Sequence, residues 1–120
     1  MQYRDYGREG YQVSTFGMGC MRLPRRERPD GTVEVDREKA YALLRYAADH
    51  GVNYFDTAFG YHGGDSERVV GEALEGERRK RVHIATKQPF AAMTDASTIR
   101  RNLENTLKKL RTDYLDVYLI

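Results

Sequence analysis

The apolar residues of the chain follow two spacings, one typical of amphipathic helices and one of short buried strands. Where they recur every three or four positions, as Ala40, Leu43, Leu44 and Ala47 do, they would line one face of a helix. Short apolar runs between these segments are typical of strands. The pattern predicts helices over residues 36–50, 66–74 and 97–110, and strands over residues 14–19, 52–56, 82–87 and 114–120.

Residues suited to helix termini stand at the ends of these helical segments. Asp36 is a typical N-cap for the first helix, and Gly51 is typical of the position just beyond its C-terminus. Ser66 is predicted to cap the second helix, and Asp95 or Ser97 the third. The boundaries of the helices are thus predicted independently of the apolar spacing.

Glycines and prolines divide the remainder of the chain. Two strand-like segments, residues 3–6 and 11–13, flank a stretch with two glycines, which predicts a β-hairpin within residues 1–13. By contrast, residues 22–35 contain two prolines and an Asp-Gly pair, and these breakers predict a loop.

After the hairpin, the predicted order of elements is β-α-β-α-β-α-β. Strands that alternate with helices are typical of an α/β protein with a parallel sheet and right-handed crossovers. An open doubly wound sheet and a (β/α)8 barrel both fit this order. A barrel needs about 250 residues, so the 120 residues here would supply just under half of one.

Composition and charge narrow the class of protein. Apolar residues make up 40% of the chain and charged residues 32%, as in an ordinary globular protein, and the net charge of +2 gives no reason to expect nucleic-acid binding. The densest basic stretch, residues 78–81, is predicted to be a solvated loop after a helix. No apolar run approaches the ~18 residues that indicate a membrane-spanning helix, so no membrane partner is expected.

The single cysteine, Cys20, excludes a disulfide within the chain and favours a reducing compartment. The first residues are charged and lack the apolar stretch of a signal peptide. We therefore expect a cytoplasmic protein. Metal binding is not expected, because the three histidines have no metal-ligand spacing and one cysteine cannot complete a site.

Three polar residues are predicted to meet at the carboxyl ends of neighbouring strands, where active sites of α/β barrels lie. Asp56 ends one predicted strand, Tyr61 lies in the loop that follows it, and Lys87 ends the next strand. An ammonium near a phenol stabilises the phenolate, and a carboxylate keeps a buried lysine charged. Such a group suits general acid catalysis of carbonyl reduction. Taken singly, each residue has an ordinary structural explanation, so the prediction depends on all three.

Several stretches resemble the aldo-keto reductase family. The stretch 51–61, Gly-Val-Asn-Tyr-Phe-Asp-Thr-Ala-Phe-Gly-Tyr, is similar to the family signature, in which the aspartate precedes the tyrosine by five residues. Further similarities cover nearly the whole chain, including the hairpin, and lie in residues 16–23, 62–71, 84–87 and 101–116.

The resemblance implies a fold and a set of functional residues. It implies that residues 1–120 are the N-terminal part of one (β/α)8 TIM barrel domain, with the hairpin of residues 1–13 plugging the barrel. Tyr61 would be the proton donor, Lys87 would activate it, and Asp56 would pair with Lys87 beside the cofactor, NADPH or its oxidised form NADP. Cys20 and Met21 would lie next to the nicotinamide, and the substrate would be a small aldehyde or ketone.

Some expectations concern residues beyond these. His62 directly follows Tyr61 and either lines the substrate pocket with it or is an ordinary loop histidine. The family's catalytic histidine follows a Tyr-Leu-Ile stretch, which here is residues 118–120, so the 120 residues do not include it and are expected to be inactive alone. Two alternatives stay open: a non-catalytic regulatory or cofactor-sensing relative, and a truncated fragment that self-associates through exposed strand edges.

Overall fold

The computed structural model describes residues 1–92 and 94–120, and a small parallel sheet covered by helices organises them. Within these ranges the elements in chain order are β1 (Tyr3–Asp5), β2 (Gln12–Ser14), β3 (Met18–Gly19), β4 (Arg25–Glu27), β5 (Val33–Val35), α1 (Arg37–Asp49), β6 (Tyr54–Asp56), α2 (Ser66–Leu74), β7 (His83–Lys87), α3 (Ala96–Leu110) and β8 (Val117–Leu119). Short 3₁₀ turns cover Tyr61–Gly64, Arg79–Arg81 and Phe90–Ala92.

The central sheet has the strand order β3-β6-β7-β8, and every neighbouring pair is parallel. Sequential strands are adjacent and joined by α1, α2 and α3 in turn, as in the first units of a β/α barrel. The predicted α/β class is therefore confirmed. The strands are shorter than predicted because side chains replace part of the ladder: the Ile84 N–H donates to Asp116 Oδ2 at 2.9 Å, so β8 begins only at Val117.

The N-terminal hairpin was predicted with small errors at its ends. β1 and β2 pair antiparallel, and Ser14 is opposite Tyr3. Ser14 therefore belongs to the hairpin, and the strand predicted over residues 14–19 is reduced to β3. Tyr6 and Tyr11 extend the hairpin as a stack, and Tyr11 lies 4.0 Å from His83 between ring centroids. Because His83 begins β7, the hairpin packs at the amino ends of the parallel strands.

The loop predicted over residues 22–35 is wrong, since β4 and β5 form a second antiparallel hairpin there. The prolines do not prevent pairing, because both lie outside the paired residues. Gly31 supplies the turn with a φ of 82°, and the Thr32 N–H donates to Asp30 Oδ1 at 2.9 Å. On one face of the hairpin Arg26 pairs with Glu34 at 2.8 Å.

The helix caps follow the sequence prediction at two of three N-termini. Asp36 accepts the Lys39 N–H at 3.2 Å, and Asp95 accepts the Thr98 N–H at 2.9 Å. Ser66 is not a cap, because it is the first residue of α2 and its hydroxyl donates to the Cys20 carbonyl at 3.2 Å. Asp65 takes the capping position, but its carboxylate pairs with Arg37 instead.

The basic stretch 78–81 is not simply a solvated loop, because Arg79 is only 5% exposed. Its guanidinium donates to Asp116 Oδ2 at 2.8 Å and lies 3.8 Å from the centre of the Tyr114 ring. Arg78 pairs with Asp49 at 2.8 Å on the surface. Arg79 therefore ties the turn before β7 to the residues that precede β8.

The core lies between the sheet and the helices. Phe55 and Ile84 on the central strands are fully buried, as are Leu44 on α1 and Leu74 on α2. α2 approaches α3 closely at Gly71, where an added Cβ would stand 2.6 Å from the backbone of Lys109 and Leu110. The close approach of the two helices leaves no room for a side chain at this position, so a glycine is required.

Gly71→Ala is expected to destabilise the fold by about 1–3 kcal/mol, the usual cost of an overpacked methyl. The contacted atoms are backbone of α3, so the helices must separate to admit the Cβ. Urea unfolding of the variant measures the change. Gly60→Ala is the control, because Gly60 has a φ of −92° and no atom within 4 Å of the added Cβ. Equal stability of the two variants would contradict this packing.

Candidate active site

Asp56 and Lys87 form an ion pair at the carboxyl ends of adjacent strands. Asp56 is opposite Ala85 in the register, and Lys87 lies two residues further on, so both side chains are on the same face of the sheet. The Lys87 ammonium donates to Asp56 Oδ1 at 2.8 Å and to the Thr57 carbonyl at 2.7 Å. These two acceptors fix the position of the ammonium.

Tyr61 joins this pair from the loop after β6. The Lys87 Nζ atom is 5.1 Å from the centre of the Tyr61 ring. A turn in which the Tyr61 N–H donates to the Ala58 carbonyl at 3.2 Å brings the tyrosine back over the strand ends. The structure thus brings the three predicted catalytic residues together. All three are partly exposed to solvent, so a ligand can reach them.

Cys20 and Met21 differ in their access to this site. The Cys20 N–H donates to the Asp56 carbonyl at 2.8 Å, which extends the pairing of β3 with β6. The Cys20 side chain is fully buried in the core, and this burial raises the pKa of the thiol to about 12. Met21 is 50% exposed beside it. Of the two side chains, only that of Met21 is available to a bound molecule.

His62 connects two loops at the site. Its backbone is left-handed, with a φ of 53°, and its Nε2 atom accepts the Leu23 N–H at 3.2 Å. Burial lowers the pKa of the imidazole below its ordinary 6.5, and the positive charge of Arg25 lowers it further. A neutral ring is needed to accept the Leu23 hydrogen bond. His62 is therefore next to Tyr61 but is engaged in holding residues 20–23 against the Tyr61 loop.

A layer of buried polar groups lies beneath the site, and the sequence interpretation missed it. The Ser66 hydroxyl bonds to Thr57 Oγ1 at 2.9 Å, and the Glu67 carboxylate accepts the Thr86 hydroxyl at 2.7 Å. Both residues belong to the first turn of α2 and are fully buried. A signal was present, because Glu67 falls on the apolar face of the helix, three and seven residues before Val70 and Leu74.

A cavity of about 600 Å³ lies elsewhere, between α2 and α3. Phe59 and Lys109 line it, together with the basic residues Arg68, Lys108 and Arg111. None of the three candidate catalytic residues lines this cavity. The candidate site is therefore the open face at the strand ends and not this groove.

The fold and the candidate site are together typical of one class of protein. They form a parallel β/α unit series with a carboxylate, a lysine and a tyrosine at the carboxyl ends of the strands, as in enzymes built on β/α barrels. A sequence profile of the aldo/keto reductase family matches residues 15–120. The chain belongs to the aldo-keto reductase family.

Individual relatives agree with this assignment. The oxidoreductase YrpG of Bacillus subtilis (strain 168) is 33% identical, and the match covers 98% of this chain but 39% of YrpG. The thermostable aldo-keto reductase Tm1743, solved with the inhibitor epalrestat, superposes with a TM-score of 0.84 at 36% identity and covers 100% of this chain and 42% of Tm1743.

A third relative was solved with a cofactor. The aldo/keto reductase from Klebsiella pneumoniae in complex with NADP and acetate has a TM-score of 0.74 at 36% identity, covering 91% of this chain and 35% of that protein. The chain thus spans less than half the length of the relatives it matches. In residues 1–92 and 94–120 no helix has the length and hydropathy to cross a membrane.

His62→Asn tests the loop connection, because asparagine tolerates a left-handed backbone but lacks the imidazole. The folded-state pKa of His62 is lowered, so acidification protonates the unfolded chain first. The stability that the neutral ring contributes is present above pH 6.5 and is lost as the pH falls toward the lowered pKa.

The free energy of unfolding should therefore fall less steeply below about pH 6.5 in His62→Asn than in the unmodified protein. Urea unfolding at a series of pH values measures both slopes. His50→Asn, which removes an exposed imidazole, controls for the loss of a histidine as such. Identical slopes for His62→Asn and the unmodified protein would show that His62 is not held in its neutral form.

Proposed function

We propose that the complete barrel protein containing these residues reduces an aldehyde or ketone with NADPH, with Tyr61 as the general acid. The observation that carries the proposal is the Lys87 ammonium, which is held by Asp56 and the Thr57 carbonyl and lies 5.1 Å from the centre of the Tyr61 ring. A phenol, a fixed cation and a carboxylate in this arrangement suit proton donation to a carbonyl oxygen.

The proton step follows from the positions of the three side chains. In the reduction, the carbonyl carbon gains a hydride and its oxygen gains a proton. The Tyr61 hydroxyl gives that proton to the oxygen as negative charge develops there, and the Lys87 ammonium stabilises the phenolate that remains. Asp56 and the Thr57 carbonyl hold the Lys87 ammonium in place beside the Tyr61 ring.

NADPH, when bound, supplies the hydride. The residues here fit one side of a nicotinamide: Met21 offers a half-exposed apolar surface two residues after β3, and Asp56 presents a partly exposed carboxylate at the end of the neighbouring β6. The Cys20 thiol is buried, so in our proposal Met21 and Asp56 make the contacts. The solved NADP complex of the Klebsiella relative supports this choice of cofactor.

The substrate is proposed to be a small carbonyl compound that enters beside Tyr61 and His62. The His62 side chain is half-buried directly after Tyr61, and its Nε2 atom already accepts the Leu23 N–H. We therefore expect His62 to shape the pocket rather than to exchange protons with the substrate.

We further propose that residues 1–120 form the N-terminal part of one barrel domain. The chain covers 39% of YrpG and 42% of Tm1743, and its hairpin packs at the amino ends of the strands, where residues 1–13 would close the barrel. Alone, these residues should be inactive and should self-associate, because β3 and β8 have free edges and Leu119 is 45% exposed.

The proposed compartment is the cytoplasm. Cys20 is a free thiol, and reducing compartments preserve free thiols.

Tyr61→Phe in the complete protein should lower kcat for carbonyl reduction at least ~100-fold, the lower range for loss of general acid catalysis. NADPH binding, followed by cofactor fluorescence, should be retained because the phenol acts on the substrate. Tyr46→Phe, the same chemical change at an exposed position on α1, should leave both quantities unchanged. An unaltered kcat in Tyr61→Phe would refute the assignment.

Lys87→Met should lower turnover and raise the apparent pKa of the acidic group in the pH–rate profile. Without the ammonium, the phenolate loses its stabilisation and the proton is held more tightly. Steady-state rates across a pH series measure both effects, with the exposed Lys108→Met as the control. A fully active Lys87→Met with an unmoved profile would mean that Lys87 has only a structural role.

A further inference from the structure

The buried carboxylate of Glu67 connects the helices to the strand that carries Lys87 and to the loop that carries Tyr61. Glu67 is 0% exposed, and its Oε1 atom accepts the hydroxyls of Thr86 at 2.7 Å and Thr106 at 3.1 Å. Its Oε2 atom pairs with the Lys109 ammonium at 3.3 Å. Glu67 therefore joins α2, α3 and β7 at one point beneath the strand ends.

We propose that Glu67 is a positioning residue for the reaction, acting on Lys87 through Thr86 and on Tyr61 through Lys109 and Phe59. This inference rests on the proposed function, because it assigns Glu67 a role in the same proton transfer. Glu67 itself touches none of the three candidate catalytic side chains in the described contacts.

The first connection runs along β7. Thr86 directly precedes Lys87, and its side chain is directed to the opposite face of the strand, towards α2. The hydrogen bond to Glu67 therefore fixes the position of the end of β7 relative to α2. Lys87 reaches Asp56 from this end of the strand. The neighbouring Ser66 acts in parallel, since its hydroxyl bonds to Thr57, whose carbonyl accepts the Lys87 ammonium.

The second connection runs through Lys109 to the Tyr61 loop. The Lys109 ammonium lies 4.0 Å from the centre of the Phe59 ring while it pairs with Glu67. A cation over an aromatic face is held there by the ring's electron density. Phe59 stands two residues before Tyr61, so a Lys109 held by Glu67 restrains the loop that carries the phenol.

Stability alone does not account for this arrangement. A buried ion pair is weak evidence for stabilisation, because an apolar side chain of similar size often serves as well. Glu67 lies on the same face of α2 as Val70 and Leu74, where a further apolar residue would pack. What an apolar residue lacks is a set of directional acceptors that hold a strand and a loop at defined positions.

The test uses the complete protein and separates positioning from folding. Glu67→Gln leaves the half-buried Lys109 without its counterion, so the double variant Glu67→Gln/Lys109→Met removes both charges. We expect the double variant to fold with near-normal thermal stability but to show kcat reduced about tenfold or more, as misplaced catalytic groups do. The apparent pKa of its acidic group in the pH–rate profile should rise, because Lys87 and Tyr61 are held less closely.

Two further comparisons make the test independent of the double variant's folding. Thr86→Val removes the hydroxyl that Glu67 holds and should reproduce part of the kcat loss and the shifted profile, whereas Thr86→Ser should restore both. Glu72→Gln is the matched control on the same helix, because Glu72 pairs with Arg37 and Arg111 away from the strand ends. It should leave kcat and the profile unchanged.

The outcomes distinguish this inference from the proposed function. If Tyr61→Phe abolishes reduction but folded Glu67→Gln/Lys109→Met and Thr86→Val keep normal kcat and pH profiles, the positioning role is overturned and the function stands. Lowered thermal stability with unchanged kcat and profile overturns it equally. If Tyr61→Phe itself reduces carbonyls normally, the proposed function is the claim that fails.

Discussion

The hydrogen bond between Lys87 and Asp56 is the interaction on which the candidate site depends. Each side chain is about one third exposed, and the contact between them sets where the two opposite charges lie. The pairing is possible because parallel neighbours β6 and β7 place their last residues on one face of the sheet, with Nζ and Oδ1 2.8 Å apart. Together with the Thr57 carbonyl, that ion pair holds the lysine beside the Tyr61 ring.

Hydrogen bonds from the first turn of α2 connect the helices to the strand ends at the site. Ser66 and Glu67 are the first residues of α2. Their side chains form hydrogen bonds with Cys20, Thr57 and Thr86, which lie at the ends of the neighbouring strands β3, β6 and β7. The first turn of α2 thus has no side-chain cap, and its polar side chains form hydrogen bonds with the sheet. An α/β unit in this protein is therefore held together by polar contacts at the carboxyl ends of the strands, and by the apolar residues of the core elsewhere.

Local patterns in the sequence predicted most of the fold. Three of the four residues predicted on one helix face, Ala40, Leu44 and Ala47, are buried, whereas Leu43 is 39% exposed. Asp36 caps α1 as predicted, and of the two candidates for α3 the cap is Asp95. Asp56, Tyr61 and Lys87 were predictable as neighbours because the carboxyl ends of parallel strands meet at one edge. Their catalytic roles, and the contact of Met21 with the nicotinamide, stay predictions.

The features that could not be predicted from the sequence depend on contacts between residues far apart in the chain. Arg79 is buried because Asp116, 37 residues later, neutralises it, and a run of four basic residues gives no sign of that pairing. Ser66 fails as a cap because its hydroxyl finds Cys20, 46 residues earlier. The hairpin over residues 22–35 was missed because two prolines outweighed the Asp-Gly turn between its strands.

The most direct test of the central claim is a double-mutant cycle on kcat in the complete protein, with Asp56→Asn, Lys87→Met and the two combined. At saturating NADPH, where the proposed contact of Asp56 with the nicotinamide does not limit the rate, Asp56 should affect kcat by holding Lys87 in place. The combined variant should then be about as slow as Lys87→Met alone, because residues that act as a unit are strongly non-additive. Losses that multiply, so that the combined variant is slower by the product of the two single effects, would contradict the account.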